Sequence, residues 1–577
     1  MRIVTTAEMR TLEEAADNAG YSYAEMMEAA GRAIAERLKA LLPDRQESRV
    51  LFLVGKGNNG GDGFVAARIL REETLMTIGI ITLRPYADGE VQACLAAHVP
   101  ISLFANDKLN NYNGTVAMVM LADVIVDAVL GTGAKLPLRE DVQTLLTQVK
   151  RGIAERTKNP QTKDRPQRIL AVDLPSGLDA DTGEIAPEAL TAHETLTFEA
   201  LKPGHLCFPG AAHVGAVMVT PLDLPPTIPY PPLQQVVTVP VARVLLPARP
   251  IDANKGTFGK ALVVAGSAQY IGAVALAAES AYRVGAGLVT VATPAPNVSL
   301  LAPRLLEATW IELSHEYGAI DEGAADTIWD KLLDYTALLI GPGLDQAQCT
   351  RAFIDVLFPP HDDAAPLPTT YPDPLLPTSR LGDALAAGEP PSTSKRNPNA
   401  EVTFPPLVID ADGLNLLAAI SQWWTRLPPR TVLTPHAGEM ARLAKIEAAA
   451  GKTGAQLVQG QRYALVRAKA AEWKCIVVLK GANTIIASPD GRMSVIAVAT
   501  PALARAGTGD VLAGAIVGLL AQGLAPFEAA TLAAYLHGTA GLLAAERLGT
   551  TASVLASDVL ASIPAVLRTL SAPDAVR

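Results

Sequence analysis

The 577-residue chain has few charges, few cysteines and no basic cluster, and each shortage removes a class of function. Only 18% of the residues are charged, the net charge is a modest −10, and Lys and Arg are spread along the chain, so no electrostatic footprint for nucleic acid is expected. Runs such as Lys395-Arg396 are too short to change that. The four cysteines, Cys94, Cys207, Cys349 and Cys475, lie far apart without a CxxC pair, which predicts reduced thiols in a cytoplasmic protein and no zinc site. The opening MRIVTTAEMR lacks the apolar run of an export signal. The most apolar stretch, Val511 to Phe527, contains Gln522 and Pro526 and is followed by Glu528, so a buried helix is expected there and not a membrane span. No GxxxxGK[ST] occurs, which excludes a P-loop.

What the chain does have is length, apolar content and punctuation. It exceeds what one hydrophobic core organises, and 49% apolar residues with abundant Ala and Gly suit close-packed α/β layers. Thr5 with Glu8 and Ser22 with Glu25 form capping-box patterns that open two helices. From Val50, short apolar runs (VLFLV, TIGIITL, VAMVM, DVIVDAVL, RILAVDLP) alternate with helix-length segments, as in a parallel sheet with crossover helices. A proline-rich stretch at 221–235 marks a boundary, giving domains at 1–225 and 238–577. The second series runs through KALVVAGS, GLVTVATP, ALLIGPGL, LVIDADGL, TVLTP and CIVVLKG. A low-charge, proline-dense segment at about 359–406 interrupts it and is expected to be a surface insertion.

In RVLFLVGKGNNGGDGFVAARIL a strand, a glycine loop and a helix follow one another, and Gly55, Gly57 and Gly60 fit GxGxxG. A dinucleotide dehydrogenase needs an acid at the end of the next strand for the ribose, but TIGIITL ends in Arg84. Asp62 beside a pyrophosphate is unfavourable unless it points away or caps the helix. Two further strand ends, VDAVLGTGAKLPLR with Asp127 and VDLPSGLDADTG with Asp173 and Ser176, should converge with this loop at the carboxyl edge of the sheet. Taken singly, Asp127 and Asp173 fit helix capping equally well. In the second half, AGTGDVLAG places Gly507, Thr508 and Gly509 before an apolar helix with Asp510 in its first turn. The free N–H groups there make an anion site, and the helix dipole is expected to keep Asp510 ionised. A capped core helix is the structural alternative.

Residues 1 to 220 resemble the NAD(P)H-hydrate epimerase domain through AEMMEAAGRA, GNNGGDGF, VDAVLGTG, VDLPSGLDADTG and TFEALKPGHLCFPGA, in that order. The resemblance implies that Asn58, Asn59, Gly60, Gly61 and Asp62, then Gly131, Thr132, Gly133, Ala134, Lys135, Leu136 and Pro137, and finally Asp173, contact a hydrated nicotinamide dinucleotide. It also implies a potassium ion near Asn59, Asp127 and Ser176, and Asp173 is the candidate acid/base, because interconverting the two hydrate epimers requires proton handling at the ring. Oxygen ligands of this kind suit a hard cation.

Residues of about 240 to 545, the insertion apart, resemble the ribokinase-like ADP- or ATP-dependent NAD(P)H-hydrate dehydratases through NKGTFGKALVVAGS, IGPGL, VIDADGLNLL, LTPHAGEMARL, VVLKGANTII and AGTGDVLAG. Ala437 stands where that family more often has proline. The implied hydrate contacts are Ala273, Gly343, His436 and Asp510. The implied nucleotide contacts are Lys480, Gly481, Ala482, Asn483, Thr484 and Gly509, with magnesium on the phosphates. Asp510 would take the proton as a phosphoryl group moves to the hydrate hydroxyl, turning a poor leaving group into a good one.

Taken together, the sequence predicts an α/β protein with an N-terminal Rossmann-like three-layer domain and a C-terminal ribokinase-like three-layer domain. It would interconvert the R and S hydrates of NADH and NADPH and dehydrate the S form. ADP is expected over ATP because the domain order is the bacterial one. A NAD-dependent oxidoreductase, a vitamin-like small-molecule kinase and a nucleotide-sensing module are the competing classes. No nucleic-acid or membrane partner is expected, and a homo-oligomer is compatible with the apolar helices.

Overall fold

Both expected capping boxes form. Thr5 accepts the Glu8 N–H and Glu8 returns a carboxylate to the Thr5 N–H at 2.8 Å, and Ser22 and Glu25 repeat the exchange. They open α1 (Thr6–Asn18) and α2 (Tyr23–Leu41). The computed structural model describes residues 1–42, 47–160, 162–360, 404–449 and 451–571. Most of the proline-dense segment assigned to 359–406 therefore lies outside the described residues.

The chain divides into two units, Met1–Val236 with Gln459–Leu465, and Val237–Val458 with Val466–Arg577. The short 459–465 segment counts with the first unit, and Tyr463 donates there to Gln234 at 2.8 Å.

The first unit is built on seven strands: β1 (Arg49–Val54), β2 (Thr77–Thr82), β3 (Ile101–Leu103), β4 (Val124–Ala128), β5 (Arg168–Val172), β6 (Glu194–Phe198) and β7 (Ala216–Thr220). They pair in the order β3-β2-β1-β4-β5-β6-β7, all parallel. Alternation along β1 assigns its residues to two cores: Val50, Phe52 and Val54 pack with residues of α1 and α2, while Leu51 and Leu53 pack with Val142, Leu145 and Val149 of the Glu140–Lys158 helix. Three layers result. The strand order reverses between β1 and β4, so the turns after these two strands diverge and leave a crevice at the carboxyl edge.

In the second unit the order is Thr309–Leu313, Leu288–Pro294, Lys260–Val264, Ala337–Ile340, Leu407–Ile409, Thr431–Leu433, Ile476–Leu479, Thr484–Ala487 and Met493–Ile496. The strands are parallel as far as Ile476–Leu479 and antiparallel from there on. The apolar run expected as one buried helix is two, Thr508–Ala521 and Pro526–Leu548, separated by a turn in which Gly523 has φ +93°. No helix among the described residues is long and apolar enough to cross a membrane.

The Thr508–Ala521 helix lies tight against the Ile271–Arg283 helix. A Cβ on Gly514 would stand 2.1 Å from the Ala277 carbonyl oxygen, and one on Gly518 would stand 2.6 Å from that of Ala281. Only glycine allows this approach.

Candidate active sites

In the first unit the three strand-end turns do converge. They wall a cavity of about 1070 Å³ with Asn58, Asn59, Asp62, Gly131, Thr132, Gly133, Lys135, Pro137 and Asp173. Gly60, Gly61, Ala134 and Leu136 are not among its walls. Neither Asp127 nor Asp173 caps a helix. Asp127 is fully buried in β4, where Oδ2 accepts the Ser176 N–H at 2.8 Å and Oδ1 accepts the Ser176 hydroxyl at 2.5 Å. Asn59 packs against Gly131, and the adjoining Leu130 N–H donates to Ser176 Oγ, so Asn59, Asp127 and Ser176 form one cluster.

Asp173 sits at φ +63°, a left-handed conformation uncommon for a residue with a side chain. His205 holds it there: its Nδ1 accepts the Lys202 N–H, which leaves Nε2 to donate to the Asp173 carbonyl at 2.7 Å. Burial and the Lys202 charge push the His205 imidazole down to about 4, so the ring is neutral at physiological pH. The Lys202 ammonium is spent on Asp173 Oδ1 (2.6 Å), Thr197 Oγ1 (2.9 Å) and the Phe198 carbonyl (3.2 Å). Burial works against the charge on Asp173, but Lys202 and the Thr197 hydroxyl, acting together with the other groups around it, hold the carboxyl below its ordinary range.

Arg84 stands where a ribose-binding acid would be required. Its buried guanidinium donates to the Gly55 carbonyl at 3.1 Å and the Gly57 carbonyl at 2.6 Å, and it pairs with Asp88 and Glu90. The glycine loop is braced from that strand end, which removes the dehydrogenase reading. Asp62 neither points away nor caps: it lines the cavity, and Gly57 holds the N-cap position of α3 (Asn58–Glu73).

In the second unit Asp510 stands in the first turn of the Thr508–Ala521 helix, next to a charge cluster. Lys480 Nζ lies 2.7 Å from Asp410 Oδ1 and 3.7 Å from Glu439 Oε2. A Cβ built on Gly509 would fall 3.4 Å from Lys480 Nζ and 3.8 Å from Asp410 Oδ2. Gly343 abuts Ala273, whose helix also sends Leu276 against Gly507, so the expected hydrate contacts and the glycine turn are neighbours. His436 caps the Ala437–Leu443 helix through Nδ1, and Glu439 completes the capping box. A second cavity, of about 170 Å³, is walled by Lys480, Gly481, Ala482, Thr484, Thr508 and Gly509, together with Ile496, Val498, Leu503 and His537. Asn483 is not part of this wall, and its N–H donates to the Val498 carbonyl.

One expectation is overturned here. The helix dipole does not keep Asp510 fully ionised: burial, then the charge of Asp410, lift its carboxyl to about 7 against the pull of Lys480. A dipole is worth roughly 0.3–1 kcal/mol at a surface, which burial among carboxylates readily exceeds.

Residues 23–204 match the family described as YjeF-related protein N-terminus, and residues 261–361 and 388–565 match that described as NAD(P)H-hydrate dehydratase. The bifunctional NAD(P)H-hydrate repair enzyme of Moorella thermoacetica is 33% identical over 99% of this chain and 97% of its own length. The chain belongs to this family of bifunctional repair enzymes. The Escherichia coli relative is 28% identical over 96% of the chain and 91% of its own length. A solved ADP/ATP-dependent NAD(P)H-hydrate dehydratase from Bacillus subtilis, 28% identical, covers 58% of this chain and 98% of that one with a TM-score of 0.42. The family match breaks off at 361 and resumes at 388, inside the proline-dense segment.

Within this repair enzyme, sequence reasoning did not single out Lys202, His205 or Asp410, and it named Arg84 only as the residue standing where a ribose-binding acid is missing. The signal for Lys202 was a basic residue in TFEALKPGH, a strand end otherwise without charge after Glu199. The Lys202–Asp173 pair predicts a large stability effect. Lys202→Met leaves a buried carboxylate unpaired and should destabilise the first unit by about 3–5 kcal/mol, and Lys202→Met with Asp173→Leu should recover most of it. Denaturant unfolding of both variants checks this, and equal loss in the double variant would show that packing and not charge is responsible.

Proposed function

We propose that the cavity of the first unit interconverts the R and S hydrates of NADH and NADPH, and that the Asp510 site of the second phosphorylates the S hydrate and expels phosphate, with ADP the preferred donor over ATP. The dehydratase half is carried by the convergence of Asp510, Gly509 and Lys480 at a helix start. A carboxyl near 7 suits a base working at neutral pH, since it is largely available and still basic enough to take a hydroxyl proton. The Gly509 N–H at the helix start faces the transferring phosphoryl, and Lys480, Gly481, Ala482 and Thr484 line the nucleotide side. Asp410 Oδ2 is buried without a hydrogen-bond partner, and Asp410, Glu439 and Asp510 outnumber Lys480, so the site fits a magnesium nucleotide. Magnesium, when bound, supplies charge neutralisation on the phosphates.

In the first unit Asp173 handles a proton at the ring while Asn58 to Asp62 and Gly131 to Pro137 bind the dinucleotide. Potassium fits Asn59, Asp127 and Ser176. Burial raises the Asp127 carboxyl, and only the neutral Ser176 and Val129 donors offset this. A cation there supplies the missing countercharge. The vitamin-kinase alternative is not favoured, since it leaves the first unit without a reaction to serve.

Incubation with a hydrate mixture, magnesium and ADP or ATP, followed by the absorbance of reduced nicotinamide, tests the scheme. Recovery should be biphasic, the fast phase consuming the S hydrate. Replacing potassium by a large organic cation should slow only the second phase. No recovery with either nucleotide would sink the reading.

A further inference from the structure

Reading the first cavity as the epimerase site leaves one group unassigned. Hydration of a dihydronicotinamide puts the hydroxyl on the carbon next to the ring nitrogen, because the enamine is protonated at its far carbon and water adds to the iminium. Epimerisation reverses only the second step. The C–O bond breaks with its electron pair going to oxygen, the ring nitrogen supplies the pair for C=N, and a proton must reach the oxygen for water to leave. Water then adds to the other face of the ring and gives up a proton to a base. The sequence is redox-neutral and needs one donor and one acceptor.

Four carboxyl groups line the cavity, Glu13 and Glu14 of α1, Asp62 and Asp173, and the last two are placed differently. Asp173 Oδ1 is held by Lys202 at 2.6 Å and by the Thr197 hydroxyl at 2.8 Å, so its charge is matched and its geometry fixed. Asp62, at the end of the Asn58–Asp62 segment, makes no hydrogen bond or ion pair among the described residues. It faces Glu13 from α1, Asp173 after β5, Lys202 after β6 and Arg84 after β2. Neither cation is free for it: Lys202 is taken by Asp173, Thr197 and the Phe198 carbonyl, and Arg84 by the two loop carbonyls, Asp88 and Glu90.

We propose that Asp62 is the proton donor of the epimerisation, acting as the partner of Asp173, which Lys202 and Thr197 hold as the acceptor. The proposal rests on the cavity being the epimerase site. Burial, with the charges of Asp173 and Glu13, pushes the Asp62 carboxyl well above its ordinary range, while Asp173 lies below its own. Two carboxyl groups driven apart in this way divide into acid and base.

The test uses the full chain without nucleotide and hydrate enriched in the R epimer, the fraction left after dehydration of the S form. The R:S ratio is followed by chromatography from acid to mildly alkaline pH. The wild-type rate should fall as pH rises through loss of the Asp62 proton. Asp62→Asn should lower kcat by roughly two to four orders of magnitude, with little change in KM, and abolish that decline. Asp62→Glu should keep a measurable rate and the decline, and Glu13→Gln should keep both. A wild-type rate in Asp62→Asn, an intact decline in it, or a decline lost instead in Glu13→Gln overturns the proposal. Asp173→Asn, run in parallel, separates the two levels. If it too relaxes at the wild-type rate, the reading of the cavity fails; if it alone is inactive while Asp62→Asn is normal, only the donor assignment fails.

Discussion

Asp510→Asn should lower hydrate dehydration by roughly two to four orders of magnitude while nucleotide affinity stays close to that of the native chain. The amide keeps the shape of the side chain and removes only its ability to take the hydroxyl proton. The nucleotide is held by the wall of Lys480, Gly481, Ala482 and Thr484 and by the Gly509 N–H, which the substitution leaves in place. The native pH profile gives the same assignment a second readout. Burial and Asp410 lift the carboxyl to about 7, and a base works only when deprotonated, so kcat/KM for dehydration should rise with pH through about 7 and level off above it. The opposite slope, or an unchanged rate in the variant, would take Asp510 out of the mechanism.

Asp173→Ala in the full chain should leave the fast phase of recovery intact and reduce the slow phase to the uncatalysed epimerisation rate, again a loss of two orders of magnitude or more. The reason is stereochemical: in-line phosphoryl transfer requires the hydroxyl of one epimer to face the donor, so the other must first be inverted. The Asp510 site lies entirely within the second unit, so the fast phase reports folding of that unit, and denaturant unfolding of the variant checks the first. Rapid use of both epimers by this variant would leave the first unit without the role assigned to it.

Most of the fold was legible because its signals are local. Capping boxes, strand-length apolar runs and glycine turns are written within a few residues of one another, and the structure forms them where the sequence places them, except that the run VAMVM, expected as a strand, lies in the helix Asn113–Leu121, because a short apolar run alone does not separate a strand from a buried helix. The site was legible only where a turn carries its own chemistry, as at Asn58–Asp62 or Gly507–Asp510. Lys202 reaches Asp173 across 29 positions and Lys480 reaches Asp410 across 70, and no spacing rule links such residues before the sheet assembles. Asp510 shows the same limit in its energetics. A helix start is visible in sequence, but the burial and the acidic neighbours that outweigh its dipole come from other strands.

The glycines at 514 and 518 bear on how this protein can be made more heat-resistant. Replacing helical glycine by alanine ordinarily stabilises a protein by roughly 0.4–1 kcal/mol, so any scheme that scores helix propensity will choose these two positions. Here the added methyl group meets backbone carbonyl oxygens of the neighbouring helix, which cannot turn aside as a side chain can. Relief comes only by moving the helix, and that helix carries Asp510 at its first turn. Thermostabilised variants of this enzyme should therefore keep both glycines, and a library selected for melting temperature alone will gather inactive members whose substitutions lie one and two turns away from the reacting carboxylate.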